Sequence, residues 1–450
     1  MNNKGRTAEA VPVLSYNEII DIDLIAEGHK ENPLRFEEKT ELKKLIYNEL
    51  SDKTGKHLPW GTLTGIRPVR IREMLEAGDK SQDEIDRELK ERFLISDTKI
   101  ALMNDIADRE KSLLESIDYR NGCSIYIGIP FCPTRCLYCS FTSNQVGEND
   151  ERPDRYVDCV CRELDALCEG RKDRDGVRFE KDKLKTLYIG GGTPTALNER
   201  QLEKLLDKVE DLFGVPYEYT VEAGRPDSIT KEKLELLKAH GVGRISINPQ
   251  TMKDETLEII GRRHTAEDVR AAFGMAKSNG MDVINADLIA GLPGEDENDF
   301  RGSLREVMEL GANNITLHTL AVKRASRLKE TDEEYNYRNE EIRERMLSDA
   351  AEILREEGFA PYYLYRQKHT SGNTENTGFC KGNTPSIYNI RIMEEAQSIL
   401  ALGAGGISKI YFPEENRLER VANVSNYEIY IERLEEMKER KRQGFFGQVR

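Results

Sequence analysis

Between about residue 121 and residue 330 the sequence alternates short β-rich apolar runs with stretches that have helical spacing of apolar residues. The apolar runs are CSIYIGI, TLYIGG, EYTVEA, GRISIN, DVINADLIAGL and NNITLHTL. Each run except the last precedes a loop and a helical pattern, as in TAEDVRAAFGMAKSNG. Such alternation is typical of parallel strands joined by crossover helices. About six strands fall short of the eight that close a full barrel, so we predict an α/β fold with an open partial (β/α)6 TIM-like barrel.

The segments on either side of this barrel have different patterns. We predict three domains: a mostly helical N-terminal region over 1–120, the partial barrel over 121–330, and an α+β C-terminal accessory domain over 331–450. In the last of these, YYLYRQK, SILALGAGGISKIYF and RLERVAN predict strands, and SNYEIYIERLEEMKERK predicts a final helix. The polar stretch KHTSGNTENTGFCKGNTPS predicts a loop between them.

Composition limits the compartment and the partners. The chain carries 67 basic and 82 acidic residues, a formal charge of -15, and a surface of this sign disfavours nucleic acid as a partner. No apolar run is long enough for a membrane span, which requires about 18 residues or more. The start, MNNKGRTAEAVPVL, lacks the charged-then-apolar pattern of a signal peptide. We therefore expect a cytoplasmic protein whose thiols stay reduced.

Three of the eight cysteines stand close together in YIGIPFCPTRCLYCSF, directly after the first predicted barrel strand. Cys132, Cys136 and Cys139 have C-x3-C-x2-C spacing, which lets three thiolates converge on one face of a single loop. Cysteine thiolates in short loops of this sort hold iron–sulfur clusters. A [4Fe–4S] cube needs one ligand per iron, so three cysteines leave one iron open to a substrate or cofactor.

Two simpler interpretations compete with a cluster. A structural zinc site favours C-x2-C pairs with a fourth Cys or His nearby, and neither is present in the local sequence. Three unrelated cysteines at this spacing would be a coincidence. The other cysteines support no site: we assign structural roles to Cys123 in a strand and to three on a predicted amphipathic helix, Cys159, Cys161 and Cys168, while Cys380 has no assignment.

Polar residues follow four further barrel strands at the edge where ligands of such barrels bind. Gly190–Pro194, in the sequence GGGTP, follows the second strand, and glycines let the backbone approach a ligand closely. Glu222 ends the third strand, Gln250 follows the fourth, and Asp287 lies in the fifth. Each of these taken alone is more often a satisfied polar residue or a tight turn. Together they fall at the same end of successive strands as the cysteine loop.

These motifs resemble the radical S-adenosylmethionine superfamily and, within it, the oxygen-independent coproporphyrinogen III dehydrogenase family. The cysteine loop and GGGTPT carry the resemblance, and LTGIRPVR, YRQK and GAGGISK are similar to the HemZ-type branch. The family implies a barrel of the radical S-adenosylmethionine type that binds a [4Fe–4S] cluster and S-adenosyl-L-methionine. The reduced cluster cleaves this cofactor, and a 5′-deoxyadenosyl radical abstracts hydrogen from the substrate. It also implies a reduced flavodoxin or ferredoxin-like electron donor.

The resemblance assigns roles by position. The implied cluster ligands are Cys132, Cys136 and Cys139. The implied cofactor-binding residues are Tyr126, Tyr138, Gly191, Gly192, Thr193, Glu222, Gln250, Arg262 and Asp287.

Two departures from the family pattern concern the substrate. Where the dehydrogenases have a fourth cysteine after the loop, this chain has Phe141, and where they have a histidine two residues after the tyrosine, it has Gly128. Relatives that resemble heme chaperones share both changes. The chaperones' HNxxYW motif is also missing, because the corresponding region has KHTSGNTENTGF, where His369 is a poor substitute.

We therefore predict a radical enzyme that converts coproporphyrinogen III, a tetrapyrrole, to protoporphyrinogen IX by oxidative decarboxylation. Basic residues of 323–329 and 366–368 are candidates to bind its carboxylates. The alternative is a heme-binding or heme-trafficking chaperone that keeps the cluster. An RNA-modifying radical enzyme is disfavoured by the acidic charge.

Overall fold

The computed structural model describes most of the chain. The described residues are 36–115, 122–139, 143–147, 150–169, 184–321, 340–367, 374–412, 415 and 417–446. Several positions named above lie outside them: the first 35 residues, Phe141, the segment 323–329, Lys368, His369 and the side chain of Cys168. None of the described helices combines the length and the apolar character that crossing a membrane would require.

Thirteen described strands form two sheets. In chain order they are β1 (Cys123–Ile129), β2 (Phe131–Cys132), β3 (Asn144–Gln145), β4 (Leu184–Gly191), β5 (Glu218–Gly224), β6 (Arg244–Ile247), β7 (Val283–Ala290), β8 (Asn314–Thr319), β9 (Phe359–Arg366), β10 (Glu375–Lys381), β11 (Ser398–Leu402), β12 (Ile407–Phe412) and β13 (Arg417–Ala422). Eleven of them form one sheet in the order β13-β12-β11-β1-β4-β5-β6-β7-β8-β10-β9, and β2 pairs with β3 in the other.

The six strands β1 and β4 to β8 pair in parallel, each with the next along the chain. They are the six runs that the sequence predicted, so the predicted α/β partial barrel is confirmed. Their residues are largely buried on both faces, as in β6, where all four residues are buried. Parallel strands covered by helices have this near-continuous apolar pattern.

Helices cover the outer face of the barrel. They are α5 (Arg152–Glu169), α6 (Glu199–Phe213), α7 (Lys231–Ala239), α8 (Asp254–Ile259), α9 (Ala266–Ser278) and α10 (Glu297–Glu309). Reciprocal capping boxes begin three of them, at Asn198, Thr265 and Asp296, because these side chains satisfy backbone N–H groups that a first helical turn leaves unpaired. Their apolar faces then pack on the strands in one continuous core.

The N-terminal region is helical where it is described. Its helices are α1 (Phe36–Thr54), α2 (Pro68–Glu76), α3 (Gln82–Phe93) and α4 (Asp97–Glu115). The last three of these helices contribute to a separate small core that contains the fully buried Trp60 and also Leu364 of β9. The Trp60 Nε1–H donates to Glu375 Oε2 of β10 at 2.8 Å, so this region is attached to the C-terminal strands.

The C-terminal strands extend both edges of the barrel sheet. β10 pairs antiparallel with β8 and β9 pairs with β10, while β11 adds a seventh parallel strand beside β1. The helices of this part are α11 (Glu340–Glu356), α12 (Ile387–Glu394), α13 (Tyr427–Glu432) and α14 (Leu434–Phe446). The division of the chain into three domains stays a prediction, but its third segment contributes directly to the barrel sheet.

The loop predicted over KHTSGNTENTGFCKGNTPS was wrong in its centre, where ENTGFCK forms β10. Six of the seven β10 residues are buried despite their polar character. Glu375 accepts from Trp60 and Lys99, and Asn376 Oδ1 accepts from the Thr319 N–H at 2.8 Å. Tertiary partners satisfy these polar groups, which outweighs the low intrinsic strand propensity of the segment.

Candidate functional site

One cavity of about 740 Å³ opens at the carboxyl ends of the barrel strands. All twelve residues that the sequence assigned to a site line it: Tyr126, Cys132, Cys136, Tyr138, Cys139, Gly191, Gly192, Thr193, Glu222, Gln250, Arg262 and Asp287. This convergence follows from the fold, since parallel strands present their carboxyl ends at one edge. The roles of the individual residues stay predictions.

The cysteine loop is hydrogen-bonded to the turn after α8 and to the residue that follows β5. The Leu137 N–H donates to the Ile260 carbonyl at 2.9 Å, and the Thr134 hydroxyl donates to the Gly261 carbonyl at 3.1 Å. From the other side, Arg225 Nη1 donates to Thr134 Oγ1 at 2.6 Å. The loop is thereby held in one conformation, as a ligand loop must be for its thiolates to converge.

The three thiols line one cavity, but among the described residues their sulfur atoms do not all lie within 4.8 Å of one another. Zinc would require them about 4 Å from one another, because Zn–S bonds are about 2.3 Å long and tetrahedral. Burial raises the pKa of Cys132 to about 11 although the Thr193 hydroxyl, 3.6 Å from its Sγ, lowers it. The thiolate therefore requires a bound cation.

The end of β4 lies directly against the cysteine loop, and glycine alone fits there. A Cβ on Gly192 would lie 2.5 Å from the Phe131 carbonyl oxygen and 3.0 Å from Cys132 Sγ. Gly191 has a φ of 110°, which side chains disfavour. The GGGTP motif thus brings the backbone of β4 up to the thiol, as predicted for close approach to a ligand.

Glu222 projects from β5 toward the same glycines. Its Oε1 accepts from the Tyr188 hydroxyl at 2.5 Å, and its Oε2 accepts from the Gly191 N–H at 3.2 Å. Burial raises the pKa of Glu222 to about 7 despite these hydrogen bonds. The carboxylate is positioned to accept hydrogen bonds from an amine or hydroxyl group in the cavity.

Gln250 adopts a left-handed backbone conformation with φ of 71°. Its N–H donates to the Asp287 carbonyl and its own carbonyl accepts from the Ile289 N–H, both at 3.0 Å, so the neighbouring β7 enforces the strain. Strained residues of this kind concentrate at functional sites. Burial raises the pKa of Asp287, but His318, with Nε2 3.5 Å from Oδ2, and hydrogen bonds from Asn285 and Thr316 together lower that pKa below its ordinary value.

Comparison with known proteins identifies the family. Residues 126–307 match the family model of the Radical SAM superfamily. The protein named oxygen-independent coproporphyrinogen-III oxidase-like protein HemZ of Bacillus subtilis (strain 168) is 39% identical over 90% of this chain and 80% of its own length. This chain belongs to the HemZ-like family of radical S-adenosylmethionine proteins. The predicted family and the predicted cofactors, a [4Fe–4S] cluster and S-adenosyl-L-methionine, are confirmed.

Two further relatives are more distant. The heme chaperone HemW of the same Bacillus strain is 36% identical, but the match covers 44% of this chain and about half of HemW, 51%. The solved structure of coproporphyrinogen III oxidase (HemN) from Escherichia coli superimposes with a TM-score of 0.54 over 73% of each chain at 19% identity, which shows the shared fold.

The cavity of this HemZ-like protein fits the two family cofactors. Buried Arg262 Nε and Asn248 Oδ1 have no hydrogen-bond partner in the part of the chain that the structure describes, and both residues line the cavity. Arg262 Nη1 meanwhile donates to the Asn248 carbonyl at 2.6 Å. A polar ligand supplies the donors and acceptors that such orphaned atoms need.

Sequence reasoning missed several residues of the site. Arg225 contacts the cysteine loop, with Nη1 4.0 Å from Cys136 Sγ, and His318 faces Asp287. Arg225 directly follows β5 in GRPDS, so the rule that sites form at carboxyl strand ends would have found it. The predicted substrate cation Arg366 lies elsewhere: its Nη1 donates to the Leu63 carbonyl at 2.6 Å and its guanidinium lies over Trp60.

Proposed function

We propose that this protein is a radical S-adenosylmethionine enzyme that oxidatively decarboxylates coproporphyrinogen III to protoporphyrinogen IX in heme biosynthesis. The observation that carries the proposal is the single cavity shared by the cysteine loop, the predicted cofactor residues and a wall of aromatic rings. A cavity of about 740 Å³ is in the upper part of the usual range of 300–1,000 Å³ for small-molecule sites. Its lining extends beyond the predicted cofactor residues to residues of the C-terminal strands.

The aromatic wall supports a substrate built of pyrrole rings. The ring centroids of Tyr188 and Tyr388 are 4.5 Å apart, and Tyr126 stacks on both at 6.2 and 6.1 Å. All three rings line the cavity. Stacked tyrosine rings offer a pyrrole macrocycle extended apolar faces for packing.

The chemistry divides between the cofactors and the chain. When bound, the reduced cluster and S-adenosylmethionine supply a radical that abstracts a hydrogen atom. For each of two propionates, the substrate loses one hydrogen atom and CO2 and passes one electron to a one-electron acceptor, which leaves a vinyl group. The chain's own residues bind and orient the reactants and exclude water. We propose that a reduced flavodoxin or ferredoxin-like protein supplies the electron that starts each cleavage.

The relatives support a heme-related role but differ in kind. The HemZ match extends over 90% of this chain, whereas the HemW match is limited to 44%. A heme-binding or heme-trafficking chaperone is nevertheless a second candidate, because Gly128 and Phe141 stand where the dehydrogenase pattern has histidine and cysteine. The fold itself decides nothing here, since one fold hosts many functions.

Anaerobic turnover tests the proposal. The reconstituted, reduced protein is incubated with S-adenosylmethionine and coproporphyrinogen III, and the tetrapyrroles are identified by mass spectrometry. We expect a product that has lost two carboxyl groups, formed together with 5′-deoxyadenosine, and no product from Cys136→Ala. Stoichiometric hemin binding without any such product would favour the chaperone instead.

A further inference from the structure

The inner face of the barrel sheet continues across the C-terminal strands. Tyr126 of β1 is level with Ala401 of β11, and two residues earlier Ile399 is level with Lys409 of β12, which is level with Arg420 of β13. All five residues line the cavity. One continuous surface therefore runs from the tyrosine wall to two cations, and Lys409 lies two strands, about 10 Å, from β1.

The positive charge at this end is in excess. Glu395 is 5% exposed, and its carboxylate oxygens lie 2.7 Å from Arg67, 3.1 Å from Arg70, 3.2 Å from Lys409 and 2.7 Å from Arg420. Four cations thus surround one carboxylate, so positive charges outnumber negative ones among the groups in contact. Such a partly buried surplus attracts an anion strongly, because low-dielectric surroundings screen it poorly.

Two further observations show that Glu395 does not satisfy this cluster. The buried Nε–H of Arg67 has no acceptor among the residues that the structure describes. Burial, together with the charge of Arg67, lowers the pKa of Lys409 to about 8. An added carboxylate would accept from the guanidinium groups and offset the mutual repulsion of the cations.

We propose that Arg67, Lys409 and Arg420 bind the carboxylate side chains of the tetrapyrrole. This inference rests on the proposed function and deepens it, because it assigns the anchor for the substrate's propionates. Beside the cations the cavity is lined by Ile392 and Ile399, which suit the apolar macrocycle. The anchor therefore lies at the start of α2 and on β12 and β13, outside the six-stranded barrel, and does not include Arg366.

Equilibrium binding of porphyrins to the full-length, cluster-loaded protein tests this assignment. The probes are coproporphyrin III, which has four carboxylates, and hemin, which has two. The variants are Arg420→Gln, whose half-exposed side chain makes misfolding a minor concern, and Lys409→Gln. The matched control is Arg417→Gln: Arg417 lies on the same strand, pairs with Glu415 and Glu419, and is not among the cavity-lining residues.

We expect each cavity variant to weaken coproporphyrin III binding about tenfold or more, the effect of losing one hydrogen bond between charged groups. The control should stay within about twofold, as for an exposed ion pair. Iron content and S-adenosylmethionine binding should not change in any of the three, because none of these residues is assigned to the cluster or the cofactor.

The possible outcomes separate the two proposals. If coproporphyrin III binds and both variants bind it like the unaltered protein, the carboxylate anchor is refuted and the proposed reaction stands. If only hemin binds and the variants weaken it, the anchor is supported, and the turnover assay with coproporphyrinogen III decides the reaction separately. If neither porphyrin binds the unaltered protein, the anchor is refuted, whatever the turnover assay shows.

Discussion

Replacing Gly192 with alanine places a methyl group where β4 meets the cysteine loop. The new Cβ would lie 2.5 Å from the Phe131 carbonyl oxygen, and ordinary contacts begin near 3.4 Å. The two groups must therefore separate by about 0.9 Å, the difference between these distances. The Thr193 N–H donates to the same oxygen at 2.7 Å, so this separation would break that hydrogen bond. Cys132 Sγ, 3.0 Å from the added Cβ, must move as well.

The cost follows from these displacements. Overpacking typically costs about 1–3 kcal/mol and the lost hydrogen bond about 0.5–1.5 kcal/mol, so the free energy of unfolding should fall by roughly 1.5–4.5 kcal/mol. Because the displaced groups include Cys132, a predicted cluster ligand, anaerobic reconstitution should also load less iron, and S-adenosylmethionine should bind more weakly.

Three measurements check this prediction: the midpoint of denaturant unfolding, the iron content per chain and the affinity for S-adenosylmethionine. The matched control is Gly274→Ala in α9, where an added Cβ meets nothing within 4 Å. That change should be neutral or stabilise the protein by up to about 1 kcal/mol, because alanine is the better helix former. A Gly192→Ala protein that unfolds, loads iron and binds the cofactor like the unaltered chain would refute the argument from close approach.

Three other predictions concern the same site. Cys136→Ala should abolish iron loading, which for a [4Fe–4S] cube is about four irons per chain. The control Cys161→Ala, at a buried helix position, should leave the iron content unchanged. Equal loading in both variants would refute the ligand assignment. Arg225→Ala should release the cysteine loop and accelerate cluster loss, measured as iron retained over time. The control Arg270→Ala, which removes only exposed ion pairs, should change the free energy of unfolding by at most about 1 kcal/mol. Equal iron retention in both variants would show that Arg225 does not hold the loop. Burial raises the pKa of Glu222 to about 7, so the folded cofactor-free protein holds this proton more tightly than the unfolded chain. The free energy of unfolding should therefore fall as the pH rises from about 5 to about 7. Glu222→Gln should reduce this pH dependence of the urea unfolding midpoint. An unchanged pH dependence would contradict the raised pKa of the Glu222 carboxyl.

The barrel and the edge that carries the site followed from the sequence because both depend on local patterns. Each strand of the barrel except β8 is a short apolar run followed by a helical pattern, and parallel strands align their carboxyl ends. Glu222, Gln250 and Asp287 therefore converge on the cysteine loop without any information about distant pairings.

The rest depends on contacts between remote segments. Tyr126 lies beside Ala401, and Arg67 reaches Glu395; periodicity describes which face of an element is apolar but does not specify its partner. For the same reason, β10 was not predicted as a strand: its polar residues are satisfied by hydrogen bonds with the remote residues Trp60 and Thr319. Lys409 and Arg420 at the basic end of the cavity were not predicted for this reason, since its cations come from three separate elements.

Transfer of deuterium from the substrate to the cofactor directly tests whether the cavity holds the substrate against the family cofactors for hydrogen abstraction. Coproporphyrinogen III carrying deuterium on the propionate carbon next to each pyrrole ring is incubated anaerobically with the reduced protein and S-adenosylmethionine. We expect deuterium in the 5′-deoxyadenosine, formed together with a tetrapyrrole that has lost two carboxyl groups. 5′-Deoxyadenosine free of deuterium, with the coproporphyrinogen recovered intact, would contradict this expectation.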